Sequence, residues 1–447
     1  MSPSERLYNL AVGALRPLLP AAGLLPEKLA EAVRGRRLAA ERARDWAAAE
    51  RRPERPLLWL HGASAGELAG AAPVLRLLRD ERPEVQLAVT CSSPSGLDAA
   101  RTLDADYHGY VPLDARPECE EALDALRPDA LVFAKLDLWP VLCRVAAERG
   151  VPLGLVNATV RPGSSRLRWP ARSLMREIYA QLDAVGAVSE RERASLRDLG
   201  VRDEAIRITG DAAFAQASSR VAAARARGEQ RLPPRAAGAA RLVAGSTWPA
   251  DEEVLVEAAA GIGPALELVI VPHEPSEETM HRLVELCRDR LGMEPRIWSR
   301  LAAGDEPGRD PGPGRGAATA PTPILVDAVG ILADLYLEAD LALVGGAFDA
   351  TGLHSVIEPA AAGLPVLFGP LHDRWEADDL LVRGAAMALE RSTATAAIRG
   401  LVEGAGRRAE MGEAARRYVE EAPDATDAGC RLIAELLARG VSSRRGR

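Results

Sequence analysis

The feature that most constrains the fold is an alternation of short apolar runs with stretches of helical periodicity. The alternation begins at Leu57, and we interpret each apolar run as a strand. Strands that alternate with helices form βαβ units, which build parallel sheets covered by helices on both faces. The sequence therefore predicts an α/β protein with doubly wound parallel sheets.

The predicted strands fall into two groups, one before residue 210 and one after residue 240. The strands of the first group are Leu57–His61, Gln86–Cys91, Gly109–Val111, Ala130–Ala134, Leu153–Asn157 and Ala184–Ala187. Those of the second group are Arg241–Gly245, Leu268–Val271, Ile324–Val326, Leu341–Val344 and Pro365–Phe368. Two groups predict two domains, and a chain of 447 residues is long enough for both.

Segments of biased composition predict where these domains begin and end. Residues 215–240 are rich in Arg and Ala and contain a Pro-Pro pair, which is typical of a linker. Residues 302–322 are a Gly/Pro/Ala-rich insertion that we expect to be flexible. The predicted domains are therefore residues 51–214 and 241–447, and residues 1–50 form a separate N-terminal helical segment.

The N-terminal residues 7–25 are mostly apolar but include one Arg and two Pro residues. A membrane-spanning helix needs about 20 apolar residues with few charges, and the flanking residues do not fit a signal peptide. We expect an apolar helical segment that lies in a membrane interface, or one that packs on the protein's own surface. We expect the arginines that follow, Arg34, Arg36 and Arg37, to contact anionic lipid head groups or to be exposed to water.

The charge and the cysteine pattern argue against several classes of protein. The net charge is −8 and no basic stripe is present, so we expect no nucleic-acid partner. The five cysteines are widely spaced without a C-x-x-C pair, which predicts reduced thiols rather than disulfides or a zinc site. The six histidines are scattered as well, so we expect no metal.

Residues 340–370 carry the clearest signature of a ligand site. A predicted strand runs into Gly345 and Gly346, and a helix is predicted to open near His354 and to carry Glu358. Glycines after a strand let the backbone approach a ligand, and a helix N-terminus favours a phosphate. A carboxylate one turn later can accept hydrogen bonds from ribose hydroxyls. This pattern predicts a nucleotide-sugar site, although a strand followed by a helix is common in α/β proteins.

Two further loops follow strands of the second predicted domain. Ser246 and Thr247 can cap the next helix and donate to a phosphate. His273 and Glu274 follow the next strand and can contact the donor sugar or base, or else His273 is an ordinary surface residue. Because ligands bind at the carboxyl ends of parallel strands, we expect these loops at one site.

Polar residues also follow strands of the first predicted domain. Glu67 lies at the start of a helix, where it is either a general base for an acceptor hydroxyl or a carboxylate stabilised by the helix dipole. Lys135 and Asp137 follow another strand, and the lysine can hold a carboxylate or a phosphate as a point charge. Ser92 and Ser93 lie in a Gly-containing loop that lacks the lysine of a P-loop.

Taken together, these segments resemble the 3-deoxy-D-manno-octulosonic acid (Kdo) transferase family. The matching pieces, in chain order, are LYNLAVG, RGRR, HGASAGE, TCSSPSG, YVPLD, KLDLWP, NATVRPGS, ITGD, AGSTWPADEE, VPHEP, LVDAVGILADLY and VGGAFDATGLHSVIEPAAAGLPVLFGP. The resemblance implies a GT-B glycosyltransferase, in which two Rossmann-like, doubly wound parallel-sheet domains face a cleft. The chain departs from the usual family pattern at Lys135, Asp137, Ala213 and Ser355, and its segment Pro272-His273-Glu274-Pro275 lacks the usual arginine. Some of these departures resemble a divergent branch of the family.

The resemblance also implies an activity and its residues. The enzyme would move Kdo from CMP-Kdo to the lipid A precursor with inversion, at the cytoplasmic face of the inner membrane, without a metal or cofactor. Glu67 would be its general base. The expected donor-binding residues are Ser246, Thr247, His273, Glu274, Gly345, Gly346, His354, Ser355 and Glu358. The expected acceptor-binding residues are Ser64, Gly66, Ser92, Ser93, Lys135 and Asp137.

Three other functions fit parts of the pattern. One is a GT-B transferase with a UDP-sugar donor, and another is an inactive GT-B protein that binds nucleotide or lipid. A third is an NAD-dependent oxidoreductase. The sequence disfavours the third because it lacks a G-x-G-x-x-G motif followed by an acidic residue about 20 positions on.

Overall fold

The computed structural model describes residues 6–8, 10, 12–13, 26–160, 171–304 and 321–445. The chain divides into two compact units. The first domain comprises residues 1–215 and 423–447, and the second domain comprises residues 216–422.

The first domain is built on a parallel sheet that has seven strands in the described part of the chain. The strands are β1 (Leu57–His61), β2 (Gln86–Cys91), β3 (Tyr107–Tyr110), β4 (Ala130–Ala134), β5 (Leu153–Ala158), β6 (Ala184–Ala187) and β7 (Ile206–Ile208). Their order is β3-β2-β1-β4-β5-β6-β7. The chain therefore winds outwards from β1 and then from β4 in the opposite direction, as the doubly wound prediction requires.

Helices cover both faces of this sheet. They are α1 (Glu27–Arg37), α2 (Ala39–Glu50), α3 (Ala65–Glu81), α4 (Pro94–Arg101), α5 (Arg116–Leu126), α6 (Pro140–Glu148), α7 (Ala171–Tyr179) and α8 (Glu190–Asp198), and a C-terminal helix joins them. Successive residues of β1 enter opposite cores, because Leu57 and Trp59 belong to one hydrophobic cluster and Leu58 and Leu60 to the other. Burial on both faces explains why β1 reads as a continuous apolar run.

The second domain repeats this design. Its strands are β8 (Ala240–Thr247), β9 (Leu266–Pro272), β10 (Arg296–Ile297), β11 (Ile324–Leu325), β12 (Leu341–Val344), β13 (Val366–Phe368) and β14 (Ala386–Ala388), in the parallel order β10-β11-β9-β8-β12-β13-β14. Its helices are α9 (Ala212–Arg227, which begins in the first domain), α10 (Pro249–Ile262), α11 (Glu277–Leu291), α12 (Trp298–Ala303), α13 (Leu332–Leu337), α14 (Ile357–Ala362), α15 (Trp375–Val382), α16 (Ala394–Glu403) and α17 (Ala405–Glu420).

The sequence did not predict three short strands, and each of them lies at a sheet edge. They are β7 at one edge of the first sheet and β10 and β14 at the two edges of the second. Natural sheets often end in very short edge strands, which limit pairing with other chains. Runs as short as IRI, RI and AMA carry too little pattern to identify a strand.

The C-terminal helix, α18 (Ala425–Arg445), belongs to the first domain. Leu436 and Leu437 are buried in the same hydrophobic cluster as Leu58 and Leu60 of β1. The predicted second domain, which extended to residue 447, was therefore wrong for residues 423–447. Helical periodicity shows that a helix has an apolar face, but it does not show which sheet that face covers.

The predicted linker, residues 215–240, also differs from the structure, because residues from Gln216 onward are part of the second domain. Arg227 donates to Asp334 at 2.8 Å. The backbone N–H groups of Arg231 and Leu232 donate to the Glu338 carboxylate at 2.6 and 3.2 Å. These bonds fix the Arg- and Ala-rich segment to the second domain.

Two predicted segments fall mostly outside the described residues. These are the interfacial segment within residues 7–25 and the insertion within residues 302–322, of which residues 305–320 are not described. In the described ranges, no helix is both long enough and apolar enough to cross a membrane.

Replacing Leu436 with Ala should destabilise the first domain. The side chain is fully buried, and a Cβ placed on Gly154 of β5 would collide with it, so the packing there is tight. We expect the free energy of unfolding to fall by about 2–5 kcal/mol, as for other large-to-small core substitutions. Denaturant unfolding measures this loss. Arg439→Ala, on the exposed face of the same helix, is the matched control, and an equal loss in both variants would contradict the placement of α18.

Candidate functional site

In the first domain, polar side chains meet at the carboxyl ends of β1, β2 and β4. His61, the last residue of β1, is fully buried. Its Nδ1 lies 3.0 Å from the Thr90 hydroxyl, and its Nε2 lies 3.2 Å from Oδ2 of Asp137. These contacts connect the ends of three neighbouring strands through a single imidazole ring.

Indole N–H groups are the fixed donors of this network. The Trp59 indole N–H can only donate, and it donates to the Thr90 hydroxyl at 2.9 Å. The hydroxyl in turn contacts Nδ1 of His61, so it links the indole ring to the imidazole ring.

Asp137 receives a donor from its own strand end. The Trp139 indole N–H lies 3.1 Å from Oδ2 of Asp137 and 3.2 Å from Nε2 of His61. The indole N–H therefore lies within donating distance of both the carboxylate and the imidazole nitrogen. The Ser92 hydroxyl lies 3.4 Å from the same oxygen. Asp137 is thus held in one orientation by groups from three strands.

Glu67 lies in the first turn of α3, directly after β1. Its Oε2 accepts the backbone N–H of Ala63 at 2.6 Å, whereas Oε1 makes no hydrogen bond in the described residues. Burial raises the pKa of Glu67, and the charge of Asp137 raises it further. The Ala63 N–H and the charges of Lys135 and His61 act in the opposite direction. The result is an anchored carboxyl group with a raised pKa and one oxygen that has no partner among the described residues, which suits a general base.

In the second domain, three aromatic rings meet at the carboxyl ends of β8, β9 and β12. Trp248 and His354 lie side by side, with ring planes 5° apart and centroids 6.4 Å apart. The Trp248 indole N–H donates to Nε2 of His354 at 3.0 Å. His273 stacks on both rings, at 4.4 Å from His354 and 5.0 Å from Trp248. The stack joins the loops that follow the three strands.

A buried carboxylate fastens the same loops together. Oδ2 of Asp251 accepts the backbone N–H of Trp248 at 2.8 Å and that of Gly346 at 2.9 Å. Gly346 has a φ of 93°, and a Cβ there would collide with the carbonyl oxygen of Gly352, so glycine is required. Burial raises the pKa of Asp251 to about 6.

Comparison with known proteins finds similarity to one family of transferases. Residues 36–216 match the family model described as 3-deoxy-D-manno-octulosonic-acid transferase (kdotransferase). The enzyme of that name from Chlamydia trachomatis serovar A is 29% identical over 325 residues, which cover 71% of this chain and 70% of that protein. The Chlamydia muridarum enzyme is 27% identical over 379 residues, or 83% of each chain. The chain is thus similar to Kdo transferases over most of its length.

Solved structures of lower identity share the fold. A UDP-GlcNAc 2-epimerase from Neisseria meningitidis superposes with a TM-score of 0.58 at 15% identity, over 86% of this chain and 100% of that chain. MurG from Acinetobacter baumannii superposes with a TM-score of 0.55 at 16% identity, over 85% and 99% of the two chains. The predicted GT-B fold is confirmed.

The acceptor-side residues predicted for the family lie around Glu67. Lys135 follows β4 with a φ of 59°, and its N–H donates to the carbonyl of Val156 at 2.9 Å. Ser92 contacts Asp137, whereas the Ser93 hydroxyl caps α4 and donates to the carbonyl of Ala63 at 3.2 Å. Ser64 occupies the N-cap position of α3 without a side-chain bond, and Gly66 is exposed with open space beside its Cα.

The capping role predicted for Ser246 and Thr247 was wrong. Trp248 occupies the N-cap position of α10, and the buried Thr247 hydroxyl donates to Glu252 at 3.0 Å. Ser246 instead forms the turn, with a φ of 54°. The register of pairing between β8 and β9 shifts at this point, so β8 runs further than predicted and the helix begins later.

The donor motif also differs in detail from its prediction. The helix α14 begins at Ile357 rather than at His354 and has only six residues. Glu358 lies in its first turn, where burial raises the pKa of its carboxyl and the nearby charge of Arg220 lowers it. The N–H groups of Gly345 and Gly346 already donate to Gly245 and Asp251. The two glycines therefore let a ligand approach the backbone closely, but their N–H groups are already used and cannot donate to it.

The remaining predicted donor residues lie on the surface of the second domain. The side chains of His273, Glu274 and Ser355 are exposed. His273 joins the ring stack, whereas Glu274 contributes its backbone carbonyl to Ser276 at 2.9 Å. Exposure leaves these side chains accessible to a ligand.

The sequence did not identify Arg36 as part of the first-domain site. We expected it to face head groups or water, but its guanidinium lies 3.9 Å above the Trp139 ring and donates to the carbonyl of Pro112 at 3.1 Å. The neighbouring Gly35 is the sequence feature that could have indicated this position. A Cβ on Gly35 would collide with Tyr110, so α1 packs closely on β3. Asp251 and Trp248 were likewise missed, although both lie in the AGSTWPADEE segment.

Asp251→Asn should make the second domain less sensitive to pH. The folded pKa of about 6 lies above the ordinary value of 3.8, so the folded protein keeps a proton in this range that the unfolded chain releases. The wild-type free energy of unfolding therefore falls, relative to the variant, as the pH rises from about 4 to about 6. Over this pH range the wild type loses about 3 kcal/mol at most relative to the variant, since a pKa difference of one corresponds to about 1.4 kcal/mol.

Denaturant unfolding at several pH values measures this difference. Glu257→Gln, an exposed carboxylate on the same helix, controls for the loss of one negative charge. A gap between wild type and Asp251→Asn that stays constant from pH 4 to 7 would contradict the account.

Proposed function

We propose that this protein is a glycosyltransferase that moves Kdo from CMP-Kdo to the lipid A precursor, in lipopolysaccharide core biosynthesis. The observation that carries the proposal is Glu67, a carboxyl group with a raised pKa, in which one oxygen accepts the Ala63 N–H and the other makes no hydrogen bond in the described residues. Its place after β1, within the residues that match the Kdo transferase family model, supports the role of general base.

The proposed reaction is a single displacement. Oε1 of Glu67 removes the proton from an acceptor hydroxyl, which we take to be the 6-hydroxyl of the glucosamine disaccharide. That oxygen forms a bond to the anomeric carbon of Kdo while the bond from this carbon to the phosphate oxygen of CMP breaks. Displacement from the opposite side inverts the anomeric configuration, and the electron pair leaves with CMP.

The second domain supplies groups suited to the leaving CMP. Arg220 lies 3.8 Å from Glu358, and the positive charge of Arg374 is close enough to lower the pKa of His354. Fixed cationic groups can stabilise a phosphate whose charge grows in the transition state. We therefore propose that these side chains assist the departure of CMP and that the transfer needs no metal or cofactor. Glu358, as proposed from the sequence, would bind the ribose.

The acceptor determines where the reaction takes place in this proposal. The lipid A precursor carries acyl chains, so its sugar hydroxyls are presented at a membrane surface. We propose that the enzyme works at the cytoplasmic face of the inner membrane. The apolar segment within residues 7–25 is its proposed contact with that surface.

CMP should protect the protein from thermal unfolding, and UDP should do so much less. A ligand at 100 times its Kd adds about 2.7 kcal/mol to the stability of the folded state. The experiment compares the Tm shift with CMP and UDP at equal concentrations. Equal or stronger protection by UDP would contradict a cytidine donor and would support the UDP-sugar alternative.

Glu67→Gln should lower Kdo transfer by about 10²- to 10⁴-fold, the usual contribution of a general base. The amide oxygen can still accept the N–H of Ala63, so the Tm and the affinity for CMP should stay near the wild-type values. Turnover measured by mass spectrometry checks this. Glu84→Gln, an exposed residue before β2, is the control for charge. Near-normal turnover in Glu67→Gln would remove Glu67 from the role.

A further inference from the structure

One hydrogen bond of the second domain has a direction that chemistry fixes. The indole N–H of Trp248 lies 3.0 Å from Nε2 of His354, and the two ring planes differ by only 5°. The in-plane arrangement directs the N–H at the nitrogen lone pair. An indole N–H donates and never accepts, so Nε2 of His354 is the acceptor and carries no proton.

This bond selects one tautomer of His354. A neutral imidazole has a single N–H, and with Nε2 as acceptor the proton is on Nδ1. In the described part of the chain, Nδ1 makes no hydrogen bond, so its N–H is available to a ligand. Burial, together with the charges of His273 and Arg374, lowers the pKa of His354 and keeps the ring neutral.

Three contacts hold this ring in place. His273 stacks on it at 4.4 Å, and the backbone N–H of His354 donates to the carbonyl of Gly345 at 3.1 Å. A Cβ placed on Gly346 would lie 3.4 Å from the ring carbon Cδ2. The imidazole is therefore packed against the glycine turn, where the absence of side chains leaves room for a phosphate.

We infer that Trp248 is a positioning residue for the nucleotide. By accepting the indole N–H, His354 is fixed as the neutral tautomer that offers Nδ1–H to a phosphate oxygen of the nucleotide. The identity of the nucleotide as CMP rests on the function proposed above. The tautomer of His354 does not depend on that proposal.

The matched variants are Trp248→Phe and Trp298→Phe. Trp248→Phe keeps an aromatic ring for stacking and removes the N–H. Trp298→Phe removes an indole N–H that donates at 3.0 Å to the carbonyl of Arg231, in a different part of the same domain. Nitrogen NMR of the histidine rings in the full-length free protein reports the tautomer, and calorimetric titration reports the affinity for CMP.

The wild type and Trp298→Phe should show His354 protonated on Nδ1, and Trp248→Phe should lose this preference. Its affinity for CMP should fall by roughly 3- to 10-fold, the range for the loss of one hydrogen bond.

Two variants of His354 itself test which ring nitrogen binds the nucleotide. His354→Asn, whose amide nitrogen lies near the position of Nδ1, should bind CMP more tightly than His354→Gln, whose amide nitrogen reaches the position of Nε2.

Three results would overturn the inference. They are a wild-type His354 protonated on Nε2, a Trp248→Phe protein with an unchanged tautomer and CMP affinity, or equal affinities of the two His354 variants. Failure of the wild-type protein to bind CMP would count against the proposed donor instead, while the NMR comparison on the free protein would still decide the role of Trp248.

Discussion

Burial of both faces of two parallel sheets is the constraint on which the rest of the structure depends. The central strands are apolar on both sides because helices cover both faces of the sheet, as the two clusters around β1 show for the first domain. Polar side chains are thereby confined to the strand ends. In each domain the carboxyl ends of neighbouring strands then bring residues from distant parts of the sequence into hydrogen-bond distance, and both candidate sites arise in this way.

The two domains use the same chemical means to fix a histidine at that edge. In the first domain, the Trp59 indole donates to the Thr90 hydroxyl, which contacts His61, and His61 contacts Asp137. In the second, the Trp248 indole bonds directly to His354. Because an indole N–H cannot accept, Nε2 of His354 is the acceptor, and this part of the second site has a defined donor and acceptor before any ligand binds.

The sequence predicted the fold class, most strands and the place of Glu67, because these depend on local patterns. Five strands, β1, β2, β4, β6 and β12, have the predicted bounds because their apolar runs are sharply delimited. The partner of α18 could not be predicted, since an apolar helix face fits either sheet. Asp251 was missed because its role depends on the N–H of Gly346, 95 residues away in the sequence. Arg36 was missed because a basic motif alone does not reveal that an aromatic ring lies beneath it.

Kdo transfer by the purified protein is the decisive measurement. The protein is incubated with CMP-Kdo, generated in the reaction, and with tetra-acylated lipid A precursor, and the lipid is analysed by mass spectrometry. We predict a mass gain of one or more Kdo units. An unchanged lipid mass, with a folded protein that still binds CMP, would contradict it.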